Sequence, residues 1–101
     1  MKNATTQTQK AIKTINLIDG CFTTAEAADV LHALLDKKIN FHKLQRLSVK
    51  EGNENDECVY DNGRIAELIQ AKKDLKTYLL DIKGTGQRLK IASKVEITIE
   101  D

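Results

Sequence analysis

The chain has 101 residues, of which 41% are hydrophobic and 31% charged, and its formal net charge is +1. This length fits one small domain with a thin core, and the apolar content is too high for a disordered chain. No apolar run approaches the ~20 residues of a membrane span, and the small net charge predicts no strong attraction of the whole molecule to polyanions.

Residues 1–10, MKNATTQTQK, are polar and show no period, which predicts a flexible tail. They also lack the apolar segment of a secretory signal. The two cysteines, Cys21 and Cys58, are too few for a disulfide framework. These features favour a cytoplasmic protein with reduced thiols and a single domain over residues 11–101.

The first predicted element is a strand over residues 13–22, KTINLIDGCF, which is rich in β-branched residues and contains an Asp-Gly turn signal. Strict alternation places Ile15 and Leu17 on one face, with Ile12 and Ile18 on the other. The strand is therefore expected to need cover on both faces.

A helical region follows, beginning where Thr23 precedes Glu26 by the spacing of a capping box. Its apolar stripe has helical period and consists of Ala27, Val30, Leu31, Leu34 and Leu35. The stripe restarts near Asn40, which could cap a second helix, but no glycine or proline intervenes. Residues 24–49 are therefore either two helices or one kinked helix.

Residues 50–63, KEGNENDECVYDNG, have no consistent period and predict a long acidic loop. A further helix is expected over residues 64–83, with Gly84 as a left-handed cap at its end. Its near-heptad stripe consists of Ile65, Leu68, Leu75, Leu79 and Ile82 and is interrupted by Lys72. Such a stripe is typical of a core-facing helix, although it could also form a seam with another chain.

The last segment, residues 88–100, alternates apolar and polar residues and predicts a strand with one apolar face. The fold class is therefore a small α+β domain, in the order β-α-α-α-β, with the helices packed on one face of a short sheet. The two strands lie at opposite ends of the chain, so they can pair only if the helical middle folds back.

A sheet of two strands is marginal alone, and it leaves unpaired backbone groups on both edges. Pairing with a second copy to form a dimer, or with another protein, would satisfy these groups. The predicted interface residues are Leu89, Ile91, Val95, Ile97 and Ile99. The alternative is a monomer in which charges on the polar face keep the edge soluble.

A different function class is suggested by residues 37–50, KKINFHKLQRLSVK, which contain basic residues and no acid. Such a segment could bind nucleic-acid phosphates, with Phe41 stacking on a base. The predicted contacts are Lys37, Lys38, Lys43 and Arg46. Against this hypothesis, Phe41 has the spacing of a core residue, and the acidic residues 51–61 could pair with the basic ones.

The sequence contains no pattern that indicates catalysis. The metal-ligating residue types, Cys21, His32, His42 and Cys58, include no closely spaced pair of the kind that structural zinc sites use. Cys21 lies just before a helix, but no base or glycine-rich loop accompanies it. We therefore expect no catalytic residue, metal or cofactor, and a non-enzymatic interaction module; an enzyme would need a composite site between subunits.

Overall fold

A computed structural model describes residues 11–100, so the predicted tail lies outside the described residues. The element order is β1 (Ala11–Phe22), α1 (Thr24–Gly52), α2 (Val59–Lys83) and β2 (Leu89–Thr98). The α+β class is confirmed, whereas the β-α-α-α-β order is wrong because the helical region holds two helices. The described chain forms two compact units, a two-stranded ribbon and a helical hairpin. Packing of the helices on the sheet within a single domain stays a prediction.

Helix α1 is continuous through the point where a break was possible. Its capping box is present, since Thr23 Oγ1 accepts from the Glu26 amide at 3.1 Å and Glu26 Oε1 accepts from the Thr23 amide at 2.9 Å. Asn40 lies inside the helix instead of capping a second one. No glycine or proline occurs between Thr24 and Glu51, so nothing in the local sequence ends the helix there.

The connection between the helices is shorter than the predicted loop, because α2 begins at Val59. Cys58 adopts a left-handed conformation at φ 50°, which is uncommon for a residue with a side chain. The Asp56 carboxylate holds this turn by accepting a hydrogen bond from the Cys58 amide at 2.7 Å. Lys50 in turn donates to the Asp56 carbonyl at 2.9 Å. The predicted loop therefore contains an ordered turn and the first turn of α2.

A heptad seam holds the two helices together. The α2 seam residues are Cys58, Asp61, Ile65, Leu68, Lys72, Leu75, Leu79 and Ile82, and all are buried or half-buried. The α1 seam residues are Ala28, His32, Leu35, Ile39, His42 and Arg46, with the same alternating spacing. At the centre of the seam, Ile39, Ile65 and Leu68 form a core against which Leu35 packs. The apolar stripe of α2 is thus core, as expected, and the lysine within it belongs to the seam.

Helix α2 ends at Lys83, and a tight turn leads into β2. Gly84 has an ordinary right-handed conformation, with φ −68°, so its prediction as a left-handed cap is wrong. Gly86 is instead the residue with positive φ, at 71°. Thr85 Oγ1 donates to the Ile82 carbonyl at 2.7 Å, which satisfies one of the carbonyls at the helix end.

The ribbon pairs β1 and β2 in antiparallel fashion, from Phe22 opposite Leu89 to Ala11 opposite Thr98. The register shifts twice, leaving Ile12 and Leu17 as additional residues in β1. Because each additional residue reverses the alternation of the bulged strand, Ile15 and Ile18 lie on the same face, opposite Val95 and Ser93. The prediction that these two isoleucines lie on opposite faces is therefore wrong.

Candidate functional site

One face of the ribbon is apolar along most of its length. The β2 residues on this face are Leu89, Ile91, Ser93, Val95 and Ile97, and they lie opposite Phe22, Gly20, Ile18, Ile15 and Lys13. Four of the five predicted interface residues are thus on one face within the ribbon. The fifth, Ile99, lies just beyond the end of β2.

Burial changes along this face. Ile18 is buried, and Leu89 and Ile91 are half-buried. By contrast, Val95 is 38% exposed and Ile97 47% exposed. We call the exposed set Ile15, Val95, Ile97 and Ile99 the distal apolar surface. Exposed apolar residues that lie next to one another are typical of an interaction site, whereas singly scattered ones are normal on any protein surface.

The opposite face of the ribbon is polar. On β2 this face carries Lys90, Ala92, Lys94, Glu96 and Thr98. The β1 residues opposite the first four of these are, in the same order, Cys21, Asp19, Asn16 and Thr14. Within the described chain, β2 has β1 as its hydrogen-bonded neighbour on one side. The two additional residues are both in β1, so β2 presents the more regular edge for a further strand.

The predicted nucleic-acid contacts point in different directions around α1, because successive helical residues are rotated by about 100°. Lys38 lies over the Phe41 ring, with Nζ 4.8 Å from the centroid. Arg46 is half-buried and donates to Asn62 Oδ1 at 2.8 Å. Lys37 and Lys43 are exposed. The role of all four in nucleic-acid binding stays a prediction, while Phe41 is 51% exposed and so is not the core residue its spacing suggested.

A second surface follows a groove between the helices of the hairpin, and we call it the basic groove. Its lining includes the lysines Lys43, Lys72, Lys73, Lys76 and Lys83, together with His32. The acid in this lining, Asp36, forms an ion pair with Lys72. The acids Glu67, Asp74 and Asp81 recur every seven residues along α2 and are not among the residues that line the groove. The sequence reasoning missed this groove because its lysines come mainly from α2, whose charges are mixed along the chain.

A buried polar pair lies at the end of the hairpin near the turn. His42 is 1% exposed, and its Nδ1 lies 2.9 Å from Asp61 Oδ1. Because an ionised carboxylate only accepts hydrogen bonds, Nδ1 is the donor. The rings of Phe41 and Tyr60 contact His42 edge to face, at centroid distances of 5.1 and 5.7 Å. Enclosed in this way, the pair serves the structure of the hairpin.

Cys58 lies next to this pair in the α2 seam. Its Sγ lies 3.9 Å from the Arg46 carbonyl, to which the thiol donates. Burial raises the pKa of the Cys58 thiol, and the nearby Asp56 carboxylate raises it further. The thiol therefore stays protonated at neutral pH, which disfavours it as a nucleophile.

Among residues 11–100, no three His, Cys, Asp or Glu side chains form a group that could hold a metal ion. Cys21 lies in the ribbon and His32 near the N-terminal end of the α1 seam, whereas His42 and Cys58 lie toward the turn of the hairpin. Neither helix of the described chain has an apolar stretch long enough to cross a membrane.

Comparisons of this chain with protein-family models, curated proteins and solved structures give no match.

Proposed function

We propose that this chain is a non-enzymatic, cytoplasmic protein–protein interaction module that self-associates through its ribbon. The observation that carries the proposal is the distal apolar surface, whose isoleucines and valine are exposed on a sheet of two strands. Association would remove this surface from water, and each Å² of buried apolar area contributes roughly 25 cal/mol.

The edge of β2 supports the same proposal. A two-stranded ribbon in water is marginal, whereas three or more strands with an apolar face are stable. Strand β1 is interrupted by its additional residues Ile12 and Leu17, and such bulges protect an edge from pairing. Strand β2 has neither a bulge nor a proline, so a second copy would pair most readily along β2.

The first test measures absolute mass by light scattering at several concentrations and salt levels. At protein concentrations well above the dimer dissociation constant, we expect a mass near twice 11.3 kDa at both low and high salt. Replacing Val95 and Ile97 with lysine places charges on the distal apolar surface and is expected to give a monomer of unchanged helicity.

The matched control replaces Leu44 and Leu47 with lysine, which makes the same double change at exposed apolar residues of α1. It should leave the dimer intact. A chain that is monomeric at every concentration would overturn the proposal. So would a dimer that the α1 control dissociates and the ribbon variant does not.

A second candidate function, nucleic-acid binding, is favoured by the basic groove. Its five lysines are accompanied by one acid in the described lining, and Asp36 is already paired with Lys72. Lysines along a groove bind phosphates by releasing counterions, so the affinity would fall steeply with salt. This surface is separate in sequence from the ribbon strands, and the two functions are compatible.

The test is binding of a labelled single-stranded oligonucleotide at low and moderate salt. Replacing Lys73 and Lys76 with glutamate should abolish binding and leave the mass in solution unchanged. The control replaces Lys37 and Lys38 with glutamate, which alters net charge equally but lies outside the groove. Equal loss in both variants would show that binding follows the net charge, and would rule out the groove as a distinct site.

A further inference from the structure

The charges on the polar side of the last strand are arranged symmetrically about Val95. Lys94 and Glu96 flank this residue directly, and Lys90 and Glu100 lie at equal distances on either side of it. The N-terminal half is thus positive and the C-terminal half negative. A strand of this kind is complementary to an antiparallel copy of itself.

We propose that two chains join their β2 strands in antiparallel fashion about a two-fold axis at Val95, forming a four-stranded sheet in the order β1-β2-β2-β1. This inference rests on the proposed self-association and specifies its register. A two-fold axis between antiparallel strands requires that some residue lies opposite its own copy. With Val95 in that position, Lys94 faces Glu96 of the second copy, and Lys90 faces Glu100.

Each of these opposite-charge pairs occurs twice in the dimer because of the symmetry. Directly opposed residues on one face of a sheet are close enough to interact, and opposite charges there are favourable. In this register Lys94 and Glu96 each have an opposite charge across the interface, and Lys90 has one where the pairing extends past the end of β2 to Glu100. The charges on the polar face of one copy are therefore balanced by those of the second copy.

Other two-fold registers lose this complementarity. An axis at Lys94 or at Glu96 places a charge opposite its own copy, which is repulsive. An axis at Ser93 or at Ile97 leaves one lysine and one glutamate of each strand without a charged residue opposite. Charge alone therefore selects the register at Val95 over its nearest alternatives.

The apolar face supports the same register. Val95 would lie opposite Val95, and Ile91 opposite Ile99 of the second copy, so that β-branched residues face each other across the new interface. Val95 and Ile99 belong to the distal apolar surface and are exposed in the described chain. The register thus joins the two distal apolar surfaces into one continuous face.

The register can be read by cysteine cross-linking in the full chain, with exposed Cys21 replaced by serine. Val95→Cys should cross-link to its own copy with a short bifunctional maleimide. Ser93→Cys and Ile97→Cys should each fail alone, because each would lie about 14 Å from its copy at ~3.4 Å per residue. They should cross-link when the two variants are mixed, because residues 93 and 97 face each other.

A charge exchange tests the same pairing without a reagent. Lys94→Glu should raise the dimer dissociation constant by at least about tenfold, because two favourable pairs become repulsive. Adding Glu96→Lys in the same chain should restore the original affinity. Lys37→Glu on α1 makes the same change of net charge and should leave the constant unaltered.

The two proposals fail in different ways. A dimer that cross-links at positions other than 95, or that the exchanged charges do not restore, overturns the register and leaves self-association standing. A chain that stays monomeric at every concentration overturns both. Cross-linking at 95 together with recovery by the exchange supports both.

Discussion

Replacing Asp61 with alanine is expected to destabilise the helical hairpin by about 1–3 kcal/mol, the range for a buried polar group left without its partner. His42 is almost fully enclosed, and its Nδ1 donates to Asp61 at 2.9 Å. Its other ring nitrogen, Nε2, is buried and has no hydrogen-bond partner among the described residues. Without the carboxylate, neither ring nitrogen of His42 would have a hydrogen-bond partner among the described residues.

Replacing His42 with alanine should be more damaging, by about 3–5 kcal/mol, because it leaves an ionised carboxylate buried without a partner. Both residues occupy seam positions that are usually apolar in paired helices. Replacing both with leucine should therefore be neutral or stabilising, by up to about 4 kcal/mol. The pair is thus expected to be strongly non-additive.

The measurement is urea unfolding followed by far-ultraviolet circular dichroism, which reports the two helices. Asp81→Ala, at an exposed aspartate of α2, is the control and should change stability by less than about 0.5 kcal/mol. The reasoning is refuted if Asp61→Ala behaves like the control. It is equally refuted if the double leucine variant is as unstable as the two alanine variants added together.

Three further outcomes can be measured on the same chain. Gly86→Ala should destabilise the fold by about 1–2 kcal/mol because Gly86 has φ 71°, whereas Gly84→Ala, at φ −68°, should be neutral or slightly stabilising in the same unfolding assay. Thr23→Ala removes the capping hydroxyl and should lower the free energy of unfolding by about 1 kcal/mol; no loss would contradict the observed capping box. Because burial raises the pKa of Cys58, the folded state binds the thiol proton more tightly than the unfolded state, so stability should fall as pH rises above the ordinary thiol pKa. Cys58→Ala should remove that part of the pH dependence, and in the native protein a thiol reagent should modify exposed Cys21 well before Cys58.

The features that the sequence predicted correctly have local signals. The capping box at Thr23 and Glu26 needs only its own spacing, and the stripe from Ile65 to Ile82 repeats within one helix. The alternation in β2 likewise needs no partner to be recognised. These elements could be identified because the residues that define each one are neighbours along the chain.

The errors have two different causes, one local and one that depends on a distant strand. The start of α2 was placed too late because Cys58 and Asp61 are not the usual apolar seam residues. Extending the heptad spacing back from Ile65 would have found both. The bulge at Leu17 is different, since it follows from pairing with β2, a strand at the other end of the chain. The sequence contains one indirect sign of this bulge. Strict alternation gives β1 apolar residues on both faces, whereas β2 has them on one face.

The basic groove was missed for a related reason. Lys72, Lys73 and Lys76 alternate along α2 with acids, so no basic run is visible in the sequence. The groove arises because a helix sorts residues by angle, and the acids fall at other angles than the groove lysines. A helical projection of α2 would have shown this separation, but not which side of the helix borders α1.

The heptad seam also bears on how the length of this protein can change. Because the contacts across the hairpin repeat in heptad steps, removing one heptad from each helix at facing positions returns every remaining residue to its original neighbour. Removing a heptad from one helix alone would shift the part of that helix beyond the deletion by about 10 Å, so that its seam residues meet different partners on the other helix. The hairpin can therefore shorten or lengthen during evolution in matched pairs of heptads, while the ribbon strands at either end of the chain keep their sequence.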